Sequence, residues 1–456
     1  MKSNNIYLVA SIVGSAGFIF VYDSANISGS IRYIREYYNL LPNQVGILVA
    51  ISLIGNFIGS LVAGYCSDRF GRKNTMIYGC ILGLIGLIIA ALSPILPIFY
   101  IGRILFGFSV GVSFVAAPMY ITEISPADKR GRCGSIRQIL LSFGLIVGYT
   151  ITFLFNKIFT LEWNIKMGWR FLISIEAILF AIMIILFFTL YESPRWLMIQ
   201  GKDEEAKLVL SKFLSCNDRV ELVYKEMLAN KPSYQDKHLK IRGGLIYALG
   251  ICALFPIFRQ LSGINAITDY SQKIFAAISN TGSNLAYFQS IFIGVSELLG
   301  AIFIVTFADK MGRKILLLIG ALGMFLSEGF ISFFIYKLDL NIDVSYLVYI
   351  YNFCFTISAG AMLTVYISEI LPTVIRSKGS SLAGMINWIF DGIIIYSFPL
   401  LNSNIYLTEK FHGAFPFIIY SSAMFIFIIV ILFLPETKNK TLEEIANYWK
   451  TKGNWE

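Results

Sequence analysis

Long apolar runs separated by short polar connections fill most of this chain. A run of about 20 apolar residues is what a helix needs to cross a bilayer. Twelve such spans can be drawn. Those of the first half lie at about residues 6–29, 44–66, 75–94, 97–121, 136–156 and 169–190. Those of the second lie at about 243–270, 287–308, 315–336, 345–371, 380–402 and 411–434. The pattern predicts an all-α membrane protein with six spans in each of two halves, 1–191 and 243–434, and a tail over 435–456. Between the halves, residues 192–242 differ in kind, with ten Lys and Arg. There Asp203-Glu204-Glu205-Ala206-Lys207 leads into apolar residues at helical spacing, Leu208, Leu210, Phe213 and Leu214. That spacing predicts short amphipathic helices on one membrane face and not a catalytic domain.

One polar connection recurs. Asp68-Arg69-Phe70-Gly71-Arg72-Lys73 follows the second span, and Asp309-Lys310-Met311-Gly312-Arg313-Lys314 follows the eighth. Each puts an acid, bases and a glycine into a turn too short for any other structure. A charged turn repeated half a chain later marks two similar halves, as in transporters built from repeats.

Composition agrees with the spans. Of 456 residues, 56% are hydrophobic and 14% charged, with mean hydropathy +0.69; soluble domains carry about 25% charged residues. The formal charge of +9 raises the question of nucleic acid. Most of the 37 Lys and Arg, however, fall on one side of the drawn topology. That bias sets orientation, makes the richer side cytoplasmic and leaves no reason for nucleic-acid binding. Both termini are therefore expected in the cytoplasm, with the lipid bilayer as the main partner. The Asn439 sequon would then be cytoplasmic and silent. Six cysteines lack metal-type spacing and are expected to be packing thiols. The first apolar run contains Asp23 and lacks a basic leader and a small-residue cleavage site, so it is expected to be a span and not a signal peptide.

Asp23 lies deep in the first span, in Tyr22-Asp23-Ser24-Ala25-Asn26. An ionised carboxylate there costs about 2.5–3.5 kcal/mol on insertion scales, so a cation is needed. Arg103, at the start of the fourth span, is the natural one. Such a pair can titrate as the molecule changes state: ionised with Arg103 close, protonated with it withdrawn. A static pair that fixes helix packing is the plainer alternative. Asp68, Arg69, Arg72, Glu123 and Arg130 gather at one membrane face in the first half, and Asp309, Arg313, Glu369 and Arg376 in the second. They are expected to pair across the two halves when that face is shut and to separate when it opens, or to anchor helix ends at the interface.

Several ordered signatures resemble the sugar porters of the major facilitator superfamily, over nearly the whole chain. They are Asp68 to Lys73; Pro118-Met119-Tyr120-Ile121-Thr122-Glu123 with Arg130-Gly131; Glu192-Ser193-Pro194-Arg195; Gln260-Leu261-Ser262-Gly263-Ile264-Asn265; Asp309 to Lys314; and Pro435-Glu436-Thr437-Lys438. The resemblance implies two six-helix bundles, a cytoplasmic helical linker and a site at mid-membrane. It also implies that Asp23 is the proton-coupling carboxyl, since facilitative relatives carry a neutral residue there. Gln138, Gln260, Asn265, Asn387 and Trp388 match positions that hold hexose or pentose. Amides converging on hydroxyls and an aromatic wall for the ring suit that task.

The chain also departs from the family's sugar pattern. Arg259 stands where a glutamine is usual, Glu297 and Asp391 where asparagines are common, and Thr364 where a tryptophan is. Asp269 replaces the first of two outer-gate tyrosines, while Tyr270 keeps the second. A cavity usually lined by amides has acquired charge. Arg259 and Glu297 could neutralise each other, or Arg259 could hold an anionic substrate group. Asp391 could take a proton or meet a cation. The expectation is a non-enzymatic, cofactor-free secondary transporter in the plasma membrane, acting as a monomer, that imports a sugar or sugar derivative with protons. A proton-independent facilitator, a polyol or sugar-acid symporter, a sugar receptor and a channel are the rivals.

Overall fold

The computed structural model describes residues 4–125, 130–213, 217–229, 244–278, 283–337, 344–361, 366–367, 370 and 373–436. Six long helices form the first half: α1 (Asn4–Tyr38), α2 (Pro42–Phe70), α3 (Arg72–Leu92), α4 (Leu96–Ile124), α5 (Arg130–Ile158) and α6 (Trp169–Phe188). Three short helices follow, α7 (Pro194–Ile199), α8 (Asp203–Phe213) and α9 (Asn217–Ala229). The second half comprises α10 (Gly244–Leu261), α11 (Ile264–Asp269), α12 (Ser271–Ile278), α13 (Ser283–Met311), α14 (Arg313–Lys337), α15 (Ser345–Phe355), α16 (Thr373–Ser403), α17 (Ile405–Phe411) and α18 (Phe415–Leu432). Eleven helical stretches are long and apolar enough to cross a bilayer. The remaining span of the twelve begins with α15, continues through a π-helical turn, Thr356–Gly360, and then leaves the described residues.

Small residues set the packing within the first half. α2 crosses α4 so closely that a Cβ on Gly107 would run into the Ser52 carbonyl, and one on Gly55 into that of Ile104. Small-residue crossings of this kind replace the hydrophobic drive that lipid cannot supply. The two halves meet along α2 against α16 and α5 against α13, with α1 against α11 at the centre.

The seventh span is not one helix. Gly263, at φ 72°, takes the left-handed conformation that ends α10 and starts α11. Tyr420 packs so tightly on it that a Cβ would overlap the ring. The break turns backbone and amides inward at mid-membrane, which is tolerated only where protein or a cavity surrounds it.

Candidate functional site

The repeated turns are built alike. Gly71 and Gly312 have φ of 91° and 92°. In the first turn, the Glu192 carboxylate accepts from the backbone N–H of Arg72 at 2.9 Å and Lys73 at 3.2 Å. In the second, Glu436 accepts from Arg313 and Lys314, both at 3.1 Å. An acid thereby caps the N-terminus of α3 or α14, where helix dipole and free N–H groups favour it. The lysines correspond too: Lys73 Nζ reaches the Phe188 carbonyl at 3.0 Å, and Lys314 Nζ that of Leu432 at 2.7 Å. The two capping acids lie in motifs already quoted, but nothing in their spacing alone disclosed the role.

Arg72 is buried, and donates to Glu123 Oε1 at 3.0 and 3.2 Å and to the Ser67 carbonyl at 3.1 Å. Asp68 stands 3.4 Å from it, and Ser193 donates to the other Glu123 oxygen. These pairs join elements of the first half. Arg72 and Glu123 are thus paired within the first half here, where the opposite face is the shut one. Arg69 is exposed and donates to the Tyr65 hydroxyl at 2.9 Å. The side chains of Arg130, Asp309 and Arg376, and all of Glu369 and Thr364, lie outside the described residues.

On the opposite face, the halves are joined directly. Ser28 hydrogen-bonds Ser271 at 3.1 Å and donates to Gln272. Tyr287 donates to the Gly29 carbonyl at 2.9 Å, and Tyr149 to that of Thr268 at 2.8 Å. Tyr270 is buried, stacks on Phe398 with ring centroids 5.2 Å apart and donates to the Ile395 carbonyl. This face is shut.

Between the two faces, Arg103 holds Asp23 through two hydrogen bonds, of 2.5 and 2.8 Å. Both groups are buried, and Arg103 also lies over the Phe106 ring. Beside them is a carboxyl that the sequence reading missed. Glu176, on α6, is fully buried; its Oε2 accepts from Asn26 at 3.2 Å and its Oε1 lacks a partner. A lone acid inside the apolar run of α6 was the available signal.

The second half supplies a chain of amides. Asn387 Oδ1 accepts from Gln260 at 3.0 Å and Arg259 at 2.8 Å. Asn265 donates to Gln260 Oε1 at 3.1 Å and Asp391 Oδ1 at 2.7 Å. Trp388 crosses to the first half: its indole N–H donates to Ser60 at 2.9 Å, and its ring packs edge-on against Phe20 and Phe114. Gln138, on α5, is half-buried and adjoins Arg137, which lies over Phe114. Arg259 makes no direct salt bridge with Glu297, although the two charges act on each other across the gap. It bonds Asn387 and lies over Phe355, while Glu297 Oε2 is buried without a partner. A narrow cleft lies between the halves, with Asp23, Arg103, Asn265, Asp269 and Asp391 in its wall.

A buried ion pair and a band of amides at a broken helix, between repeated halves, are the parts of a carrier. The family model described as "Sugar (and other) transporter" matches residues 9–449. The chain belongs to this family of transporters. Similar proteins include a D-xylose-proton symporter of Escherichia coli, 30% identical over 98% of this chain and 96% of that one. An arabinose-proton symporter of Bacillus subtilis is 31% identical, over 97% and 95%. Among solved structures, the major facilitator proton:xylose symporter XylE bound to 6-bromo-6-deoxy-D-glucose superposes with a TM-score of 0.85. It is 29% identical, over 98% of this chain and all of that one. The protein is therefore a multi-pass membrane transporter of the major facilitator fold, with two six-helix bundles, and not an enzyme.

Proposed function

We propose that this transporter imports a sugar or a close relative across the plasma membrane together with protons, by alternating access. The observation that carries the reading is the Asp23–Arg103 pair, buried at the edge of the cleft that Asn265 also lines. Asp23 is the proton site, and Arg103 decides when it is free to take one. Glu176 stands by as a second carboxyl within the same pocket of first-half helices. Gln138, Gln260, Asn265 and Asn387 receive hydroxyls, with Trp388 as aromatic wall, and relatives that carry xylose and arabinose with protons support the assignment.

The bodies that rock are residues 1–191 and 243–434, acting as a monomer, with the linker 192–242, the tail 435–456 and both termini on the cytoplasmic side. The basic linker supports that orientation. On it, the shut face is external, and the hydrogen bonds of Ser28, Tyr149 and Tyr287 favour states closed to the outside. The repeated turns, with Asp68, Arg69, Arg72, Glu123 and Arg130 against Asp309, Arg313, Glu369 and Arg376, gate the inner face, each half through its own set.

The test is uptake by proteoliposomes under an imposed pH gradient, screened over hexoses, pentoses, polyols and sugar acids. Accumulation that requires the gradient is expected. Flux that ignores the gradient would reduce Asp23 to a structural role, and no flux for any compound would remove the sugar assignment.

A further inference from the structure

The charge of the cleft does not suit a neutral cargo. Four charged side chains line it: Asp23, Arg103, Asp269 and Asp391. Arg103 is committed to Asp23 through both terminal nitrogens. Two carboxyls are left over.

Neither has a cation of its own. Asp391, only 1% exposed, accepts from the neutral amide of Asn265 at 2.7 Å. Asp269, 6% exposed, has an Oδ1 without any hydrogen-bond partner. Arg259 acts on Asp391 across space but forms no salt bridge with it; it lies outside the cleft wall, bonded to Asn387 and laid over Phe355. The other polar residues of the wall, Ser24, Ser52 and Asn56, are uncharged. An unpaired carboxylate out of water is costly unless a cation joins it or it takes up a proton.

We propose that the preferred cargo is an amino sugar, or an equally small polyhydroxylated compound with one ammonium group, and that Asp269 and Asp391 receive the ammonium. This rests on the sugar-transport reading above and narrows it. The amides serve the hydroxyls, and the ammonium supplies the charge that the cleft lacks. It also gives meaning to two of the three places where an acid replaces the neutral residue usual in sugar porters. Asp269 sits on α11, just beyond the break at Gly263, and Asp391 on α16, one turn past Asn387. The ammonium would thus lie toward the shut face and the hydroxyls toward the amides.

The experiment uses the full chain in proteoliposomes with labelled D-glucosamine, and D-glucose, D-xylose and N-acetyl-D-glucosamine as unlabelled competitors. Glucosamine is expected to enter and to be competed by itself about tenfold better than by the neutral compounds, one charge contact being worth about that factor. In Asp269→Asn and Asp391→Asn, the ratio of glucosamine to xylose uptake should fall by a similar factor, while Asp391→Glu keeps the wild-type preference. Thermal midpoints in detergent show whether each variant is folded.

Neutral sugars carried with protons while glucosamine neither enters nor competes would overturn this proposal and leave sugar symport standing; the two acids would then be further proton carriers. Glucosamine uptake that ignores the pH gradient would support the cargo and remove the coupling. A failure of every sugar, charged or neutral, would overturn both.

Discussion

The two halves agree at their surface turns and disagree at their centre. At the turns, one device is made twice: a left-handed glycine, a basic pair and an acid brought back from the end of the sixth or twelfth span. At the centre, the first half contains a closed ion pair, Asp23 with Arg103. The second half contains amides, a guanidinium bonded to one of them, and carboxyls with no cation in contact. The turn has the same mechanical task in both halves, holding two helix ends and a third strand of chain in register, so its chemistry can repeat. The centre divides its labour: the half that handles the proton needs a pair that can separate, and the half that handles cargo needs donors and acceptors that can let go.

The largest test of that contrast is Asp23→Asn. Accumulation against a gradient should be lost altogether, while counterflow exchange persists, because the cargo half is untouched. Full accumulation by this variant would erase the division. Next come the matched substitutions Glu192→Gln and Glu436→Gln. Each removes a charge-assisted cap worth about 1.5–3 kcal/mol, and the two thermal midpoints should fall by similar amounts. A clear inequality would show that the repeated turns do different work.

Gly263→Ala probes the break that only the cargo half possesses here. A left-handed alanine pressed on Tyr420 should cost about 1–3 kcal/mol and raise KM, with little change in the pH dependence of transport. Smallest is Trp388→Phe, which keeps an aromatic ring, though a smaller one, and removes the donor to Ser60. About 1 kcal/mol of lost hydrogen bonding should appear as a several-fold rise in KM at near-constant kcat.

Much of this was legible before any coordinates. The spans follow from runs of apolar residues, and the pairing of Asp23 with Arg103 follows from the cost of an isolated charge at membrane depth. Asn265, Gln260 and Asn387 were brought together as the family pattern implies. What could not be read depended on direction, which sequence spacing does not carry. Arg72 and Glu123 could have faced either bundle, and helix rotation turns them toward each other within the first. Arg259 and Glu297 act on each other as charges, yet the guanidinium makes its direct bond to Asn387. Glu176 was overlooked for a different reason: a single acid in an apolar stretch was absorbed into the count of the span. The same holds for Glu328, fully buried on α14 with neither oxygen bonded.

The caps at the two turns carry an unequal risk. Glu192 sits in mid-chain, so any full-length product has it. Glu436 comes after the last membrane helix, so a premature stop or a protease cut just upstream of it would spare every span and still unfasten α14. Reporter proteins should accordingly be joined downstream of this glutamate, and shortened versions that omit it should insert normally yet work poorly.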